Sequence, residues 1–266
     1  MAYLELSRRD INVLEKIKDP ESDPSLMIQV DPTLPKDPHI TDADEYQKIS
    51  QLERDIILSF QDLEVQQAKQ RSTGTTDIDV AEKYRDGVSR LDQLIQDHPQ
   101  YASARNNRAQ ALRRLYGDSM LVAGAPRSPQ ALLQEVDDAE RSEIAKTVLG
   151  DLDCAISLLT PKAARSRVSP QVARTLANAH TQRAAVYLMT SKLMGPKTAS
   201  VDVERPEASW SKLEFEERAS RDFALGGRYG NEIAKGLAVS TNPTAKLCGQ
   251  MVREAMKKEY GPGFAS

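Results

Sequence analysis

The feature that most constrains this chain is a pattern of three residues, set four and then three positions apart, that recurs in three segments. Each segment has a small or modest residue, a large apolar residue four positions later and another residue three positions after that. Steps of four and three keep side chains on one stripe of an α-helix. Each triplet therefore predicts a helix that packs against a partner. The triplets are Gly87-Leu91-Leu94, Val148-Leu152-Ala155 and Ala219-Phe223-Gly226.

A segment that is typical of a partner helix precedes each triplet. In Ser103–Leu112, for example, the small Ala109 allows a close helix contact and Leu112 lies on the same face. The pattern predicts three helical hairpins, which cover residues 45–99, 100–161 and 169–229, with inserts at 118–140 and 193–210. Helical hairpins that recur with a period of about 34 residues are typical of tetratricopeptide repeats. We therefore predict an all-α fold, a short α-solenoid of tetratricopeptide hairpins with extra terminal helices. A generic helical bundle is the alternative.

The remaining segments frame this repeat domain, which we place at residues 45–240. Residues 1–44 are predicted to be a short amphipathic helix at 7–18 and a linker rich in proline and aspartate. The linker is extended and partly ordered in one interpretation and disordered in the other. A further helix is predicted from Pro129 to about Lys146, and a C-terminal helix and tail at 241–266. No segment has the alternating pattern of a strand.

Composition limits the classes of function. The formal net charge is -3, which gives no bulk attraction to nucleic acid or anionic membranes. We expect no signal peptide and no membrane span, and we predict a cytoplasmic protein, with the nucleus as an alternative. Two cysteines cannot form a disulfide framework or a metal cluster, and we expect them to be buried thiols. We expect no metal site, no catalytic residues and no cofactor.

Four segments resemble a known family. Ser103–Ala111 resembles the second repeat of the tetratricopeptide repeat protein 36 family, and Arg218–Gly227 resembles the second helix of its third repeat. Asn242–Met251 looks like the tail of that family, and Val13–Pro20 is similar to its start. The inserts are longer here. The resemblance implies a non-enzymatic adaptor, an association with Hsp70-class chaperones and a link to tyrosine metabolism.

First helices of stacked hairpins line a groove, so their polar residues are the candidate ligand contacts. We predict that the groove binds a partner protein through six residues: Asn106, Asn107, Gln110, Arg114, Asn178 and Gln182. Chaperone-binding tetratricopeptide domains hold a carboxylate with two Lys, two Asn and one Arg. The aligned positions here are Ser59, Leu63, Asn107, Asn178 and Gln182. Only Asn107 matches and no cation is kept, so we predict that a standard carboxylate clamp is absent.

Two other function classes stay open at this stage. The cluster of arginines between Arg105 and Arg114 could bind RNA phosphates or an acidic partner, or it could pair with carboxylates. An enzyme would need a site around His180, which is predicted to face the groove. The other histidines are His39, in the linker, and His98, at a helix end.

Overall fold

The computed structural model describes residues 28–73, 80–126, 128, 130–133, 135–163, 166–195 and 205–260. The helix predicted at 7–18 lies outside these residues. No helix among the described residues is long and apolar enough to cross a membrane.

The described part of the chain is all-α apart from one very short strand pair, which confirms the predicted fold class. The helices pack mainly in chain order, each against the next, and α3 also contacts α5. This arrangement is that of a helical repeat, and its assignment to the tetratricopeptide class stays a prediction. The helices are α1 (Ala43–Thr73), α2 (Val80–Asp97), α3 (Ala102–Tyr116), α4 (Asp138–Leu159), α5 (Pro170–Leu193), α6 (Lys212–Arg228), α7 (Glu232–Thr241) and α8 (Pro243–Tyr260). A short 3-10 helix covers Pro206–Ser209.

Side-chain caps fix where several helices begin. Ser169 accepts from the backbone of Val172 at the start of α5, with Pro170 in the first turn, which is where the third hairpin is predicted to begin. Asp137 accepts from the backbone of Glu140 and starts α4. The separate helix predicted from Pro129 to about Lys146 is therefore wrong. One helix runs from Asp138 to Leu159, since the cap lies later than the proline suggested.

All nine residues of the three triplets are buried, which confirms that they form packing stripes. Two glycines among them allow close helix contacts. A side chain at Gly87 would collide with the ring of Phe60, and one at Gly226 would meet Thr181 and the backbone of Ala177. These contacts hold α1 against α2 and α5 against α6.

The linker contains the exception to the all-α expectation. Gln29–Val30 forms a parallel strand pair with Arg167–Val168, so the prediction of no strand is wrong on this small scale. Backbone pairing fixes the linker at Gln29 and Val30. The side chain of Val30 is exposed, so the strand pair holds the linker through its backbone and not through burial of this side chain.

Two side chains hold the middle of the linker. Nε2 of His39 donates to the carbonyl of Leu158 at 2.9 Å. Oγ of Ser169 donates to the carbonyl of Lys36 at 3.2 Å. The linker therefore crosses from the start of α5 to the start of α1.

The C-terminal helix α8 exposes its apolar positions. Leu247, Met251 and Val252 are each more than half exposed. The expectation of two buried thiols is also wrong, because Cys248 on α8 is exposed and Cys154 is half-buried. The apolar side chains of α8 lie beyond the hydrophobic core clusters, which end at α7.

Candidate functional site

The first helices of the three hairpins, α1, α3 and α5, contribute to one surface, which we call the three-helix face. A cavity of about 520 Å³ lies there, between these helices and the linker, and we call it the linker cavity. A second cavity of about 470 Å³, the Gln110 cavity, lies between α1, α2, α3 and the insert after α3. Ile57, Gln61 and Asn107 line both cavities, so the two adjoin.

Glu53 is the centre of the linker cavity's inner wall. Its carboxylate is buried and accepts a hydrogen bond from the hydroxyl of Tyr101 at 2.5 Å and one from Nδ2 of Asn107 at 2.7 Å. Burial raises the pKa of Glu53 above its usual value, although these hydrogen bonds oppose the shift. The predicted groove residue Asn107 thus lies on the three-helix face, where it ties α3 to α1.

The Gln110 cavity contains two more of the predicted residues. Gln110 is exposed and lines it. Arg114 also lines it, and its guanidinium donates to both carboxylate oxygens of Glu64 and to Gln67. Burial and the Glu64 carboxylate raise the pKa of Tyr84, whose hydroxyl donates to Glu64 at 2.7 Å. Arg114 is therefore already neutralised by a carboxylate within the fold.

The predicted placement of two residues in the groove is wrong, because both lie between helices. Asn106 and Gln182 are buried, and Nε2 of Gln182 donates to Oδ1 of Asn106 at 2.9 Å. Buried amides are stable only when they are hydrogen-bonded, and the oxygen of Gln182 in addition accepts a hydrogen bond from Arg113 at 3.2 Å. This amide pair ties α5 to α3, as the Asn107–Glu53 hydrogen bond ties α3 to α1.

Other predicted positions are also placed away from the cavities. Asn178 is exposed on α5 but lines neither cavity. Of the positions aligned with the carboxylate clamp, Leu63 is part of the hydrophobic core and Ser59 donates to the backbone of Ile56. The described residues therefore do not assemble the standard clamp.

Each arginine of the predicted basic cluster is paired with a carboxylate. Arg105 and Arg108 contact Asp151, Arg113 contacts Asp118, and Arg114 contacts Glu64. Of the two interpretations of this cluster, the structure shows the one in which the arginines pair with carboxylates of the same chain. This pairing removes the free positive charge on which the RNA-binding hypothesis depended.

The sequence interpretation missed a polar motif that is built twice, which we call the arginine bridges. In the first bridge, Arg108 of α3 makes two hydrogen bonds of 2.6 Å to Asp151 of α4 and one of 2.7 Å to Asp92 of α2. In the second, Arg183 of α5 makes two of 2.7 Å to Asp222 of α6 and one of 2.7 Å to Asp153 of α4. Each arginine joins the second helix of its own hairpin to that of the preceding one.

The residues of the two bridges occupy matching positions in the repeated sequence pattern. Asp151 and Asp222 come directly before the large apolar residue of their triplets, and Asp92 and Asp153 come directly after it. Arg108 and Arg183 are each followed by alanine. These equal offsets support the repeat register independently of the apolar residues.

His180 belongs to the second bridge and not to the groove, so its predicted placement is wrong. It is buried, and its Nδ1 donates to Asp222 at 2.8 Å. Its ring stacks on that of Tyr229, with centroids 6.0 Å apart. Burial raises the pKa of Asp222, but the hydrogen bonds from Arg183 and His180 outweigh burial, so this pKa lies below its usual value. No group of three or more potential metal ligands occurs among the described residues.

Comparison with known proteins gives one informative similarity. The chain is 38% identical to the L-tyrosine degradation gene cluster protein hmgX of Aspergillus fumigatus over 259 residues, which are 96% of this chain and 93% of that protein. No protein-family model matches the chain, and no solved structure matches it.

Proposed function

Because this chain belongs to the family of the L-tyrosine degradation gene cluster protein hmgX, we propose that it is a non-catalytic adaptor of L-tyrosine degradation. It binds a partner protein on the three-helix face. The name of the relative supports the metabolic link. The resemblance to the tetratricopeptide repeat protein 36 family, which also implies tyrosine metabolism, points in the same direction.

The observation that carries the adaptor role is the continuity of the three-helix face. Residues from α1, α3 and α5 line the linker cavity, and the adjoining Gln110 cavity extends the same surface along α1 and α3. Extended surfaces built from successive helical hairpins are the binding surfaces of repeat proteins. The partner we propose is an enzyme that acts on L-tyrosine or on one of its breakdown products.

Recognition at the Gln110 cavity relies on shape and on neutral hydrogen bonds. The arginines there are paired within the chain, whereas Gln61 and Gln110 are exposed amides. A neutral hydrogen bond contributes about 1 kcal/mol net, so several must act together with apolar contact. An Hsp70-class chaperone, if it binds, uses a mode other than the standard clamp. The cytoplasmic location stays a prediction.

Affinity capture from an extract of cells that grow on L-tyrosine tests the adaptor role. The wild type is compared with a Gln61→Lys/Gln110→Lys variant, whose new charges lie on the proposed contact surface. Gln66→Lys is the matched control, because Gln66 is an exposed residue of α1 that lines neither cavity. We expect the wild type and the control to capture the same tyrosine-degrading enzyme, and the double variant to retain at least fivefold less of it. Equal capture by all three proteins would contradict the proposed surface.

Complementation tests the metabolic link separately. An Aspergillus fumigatus strain without hmgX is supplied with this chain and grown on L-tyrosine or on ammonium as the nitrogen source. We expect the deletion to slow growth on L-tyrosine alone and this chain to restore it. Restoration by the Gln61→Lys/Gln110→Lys variant would mean that the role does not need the three-helix face.

A further inference from the structure

Three cations from three different parts of the chain line the linker cavity. Lys36 comes from the linker, Arg54 from α1 and Arg174 from α5, and all three are exposed. None of them forms an ion pair with another residue in the described part of the chain, in contrast to the arginines of the bridges. The ammonium of Lys36 lies 5.5 Å from the centre of the Tyr46 ring. The cavity therefore has positive charge at its rim that the fold leaves without a carboxylate partner.

The position of α5 adds to the attraction for an anion. Gln171, Val172, Arg174 and Thr175, from the first two turns of this helix, line the cavity. The N-terminal end of a helix carries a partial positive charge and backbone N–H groups that favour a bound anion. The helix end and the three cations thus act on the same space.

The inner wall limits how much negative charge a ligand can bring. Asp37 and Glu53 are both buried there, and burial raises the pKa of both carboxyl groups. They already accept hydrogen bonds, Asp37 from the backbone of His39 and Glu53 from Tyr101 and Asn107. Whenever these two groups are ionised they repel a bound anion, so a ligand with one negative charge fits better than a phosphate with two.

The rest of the cavity is suited to an apolar body. Ile57, Leu58, Leu159 and Val172 line it, together with Tyr46 and Tyr101, whose rings meet edge to face. The volume of about 520 Å³ lies within the range of small-molecule sites.

We propose that the linker cavity binds a small carboxylic acid with an apolar body, whose carboxylate lies between Lys36, Arg54 and Arg174. This inference does not depend on the adaptor role, because it concerns a different ligand.

Calorimetric titration of the full chain with matched probes tests the site. Phenylacetate has the carboxylate and the body, phenylacetamide has the same body without the charge, and acetate has the charge without the body. We expect phenylacetate to bind at least tenfold more tightly than either of the others. Equal binding of the amide, or no binding of phenylacetate, would overturn the proposal. Inorganic phosphate that competes as well as phenylacetate would also overturn it and would indicate a phosphate site.

A charge-removing variant locates the binding. In Arg54→Gln/Arg174→Gln both replaced side chains are exposed, so the fold is expected to persist, as circular dichroism can verify. We expect this variant to bind phenylacetate at least tenfold more weakly. Lys48→Gln/Arg221→Gln, which removes two exposed cations outside the cavity, is expected to bind like the wild type. Equal weakening by both double variants would mean a general charge effect and would overturn the site.

Discussion

The arginines of the bridges are paired with carboxylates, whereas in the described part of the chain the arginines that line the linker cavity are not. In the bridges, Arg108 and Arg183 each contact two carboxylates, and one of the two is buried. In the linker cavity, Arg54 and Arg174 line an open space and pair with no described carboxylate. The ion pairs of the bridges connect neighbouring hairpins, so we expect their charges to stabilise the fold and the charges of the cavity to contribute little to it.

The largest effect is expected when a bridge loses its arginine. Arg183→Met keeps most of the side-chain volume but leaves the buried carboxylate of Asp222 with His180 alone. Removing one partner of a buried ion pair costs about 3–5 kcal/mol. We expect the free energy of unfolding, measured with urea, to fall by about 3 kcal/mol. Arg221→Met, at an exposed position of α6 next to Asp222, is the control and should change it by less than about 0.5 kcal/mol.

The two buried carboxylates of the bridges are expected to differ. Burial raises the pKa of Asp151 in spite of its hydrogen bonds from Arg108 and Arg105, whereas the hydrogen bonds from Arg183 and His180 outweigh burial at Asp222 and lower its pKa. The ionised form is thus favoured by the fold at Asp222 and disfavoured at Asp151. We expect Asp222→Asn to cost about 3 kcal/mol and Asp151→Asn about 1 kcal/mol. Equal losses in urea unfolding would contradict the opposite pKa shifts of the two carboxylates.

The pH dependence of these variants sharpens the same comparison. Stability from Asp222 is present above the unfolded carboxyl pKa of about 4 and is lost as the pH falls through its lower folded pKa. The stability difference between the wild type and Asp222→Asn should therefore shrink below about pH 4. For Asp151, whose folded pKa is raised, the difference between the wild type and Asp151→Asn should shrink as the pH rises above about 4. Unfolding curves between pH 3 and pH 7 would check both directions, and a common trend would contradict them.

The smallest effect is expected at the linker cavity. Arg54→Gln and Arg174→Gln remove exposed cations without an ion-pair partner among the described residues. Each should change the free energy of unfolding by less than about 0.5 kcal/mol. A loss comparable to that of Arg183→Met would mean that these cations stabilise the fold, and the contrast between the two regions would not hold.

Much of the helical architecture could be predicted from the sequence because it depends on local patterns. The triplets located three buried stripes, and Ser169-Pro170 located the start of α5. The insert was harder, because Pro129 suggested an early helix start and Asp137 supplies the actual cap. A capping residue acts only if the chain around it turns in the right direction, and neighbouring elements decide that. Residues 132 and 133 bond to the backbone of α3 instead of entering a helix.

The candidate site was less predictable than the fold. Asn106 and Asn107 are adjacent and chemically identical, yet one is buried against Gln182 and the other lines the cavities. The rotation of α3 against its two neighbours decides which amide faces outward, and a short polar run does not encode that rotation. The partners of the arginines were also not predictable from a short run of sequence. Their charge was visible in the sequence, but their carboxylate partners lie between 5 and 50 residues away.

The sequence by itself determined that this chain forms helical hairpins, since periodic apolar residues, small residues and capping groups act within a few turns of one helix. It also contained the equal offsets of Arg and Asp that build the two bridges. Only the tertiary structure decided that a cavity lies between the linker and three first helices, and that Lys36, Arg54 and Arg174 all line it. Those residues are far apart along the chain, and nothing local brings them together. Their proximity follows from the stacking of the hairpins and from the short strand pair that holds the linker in place.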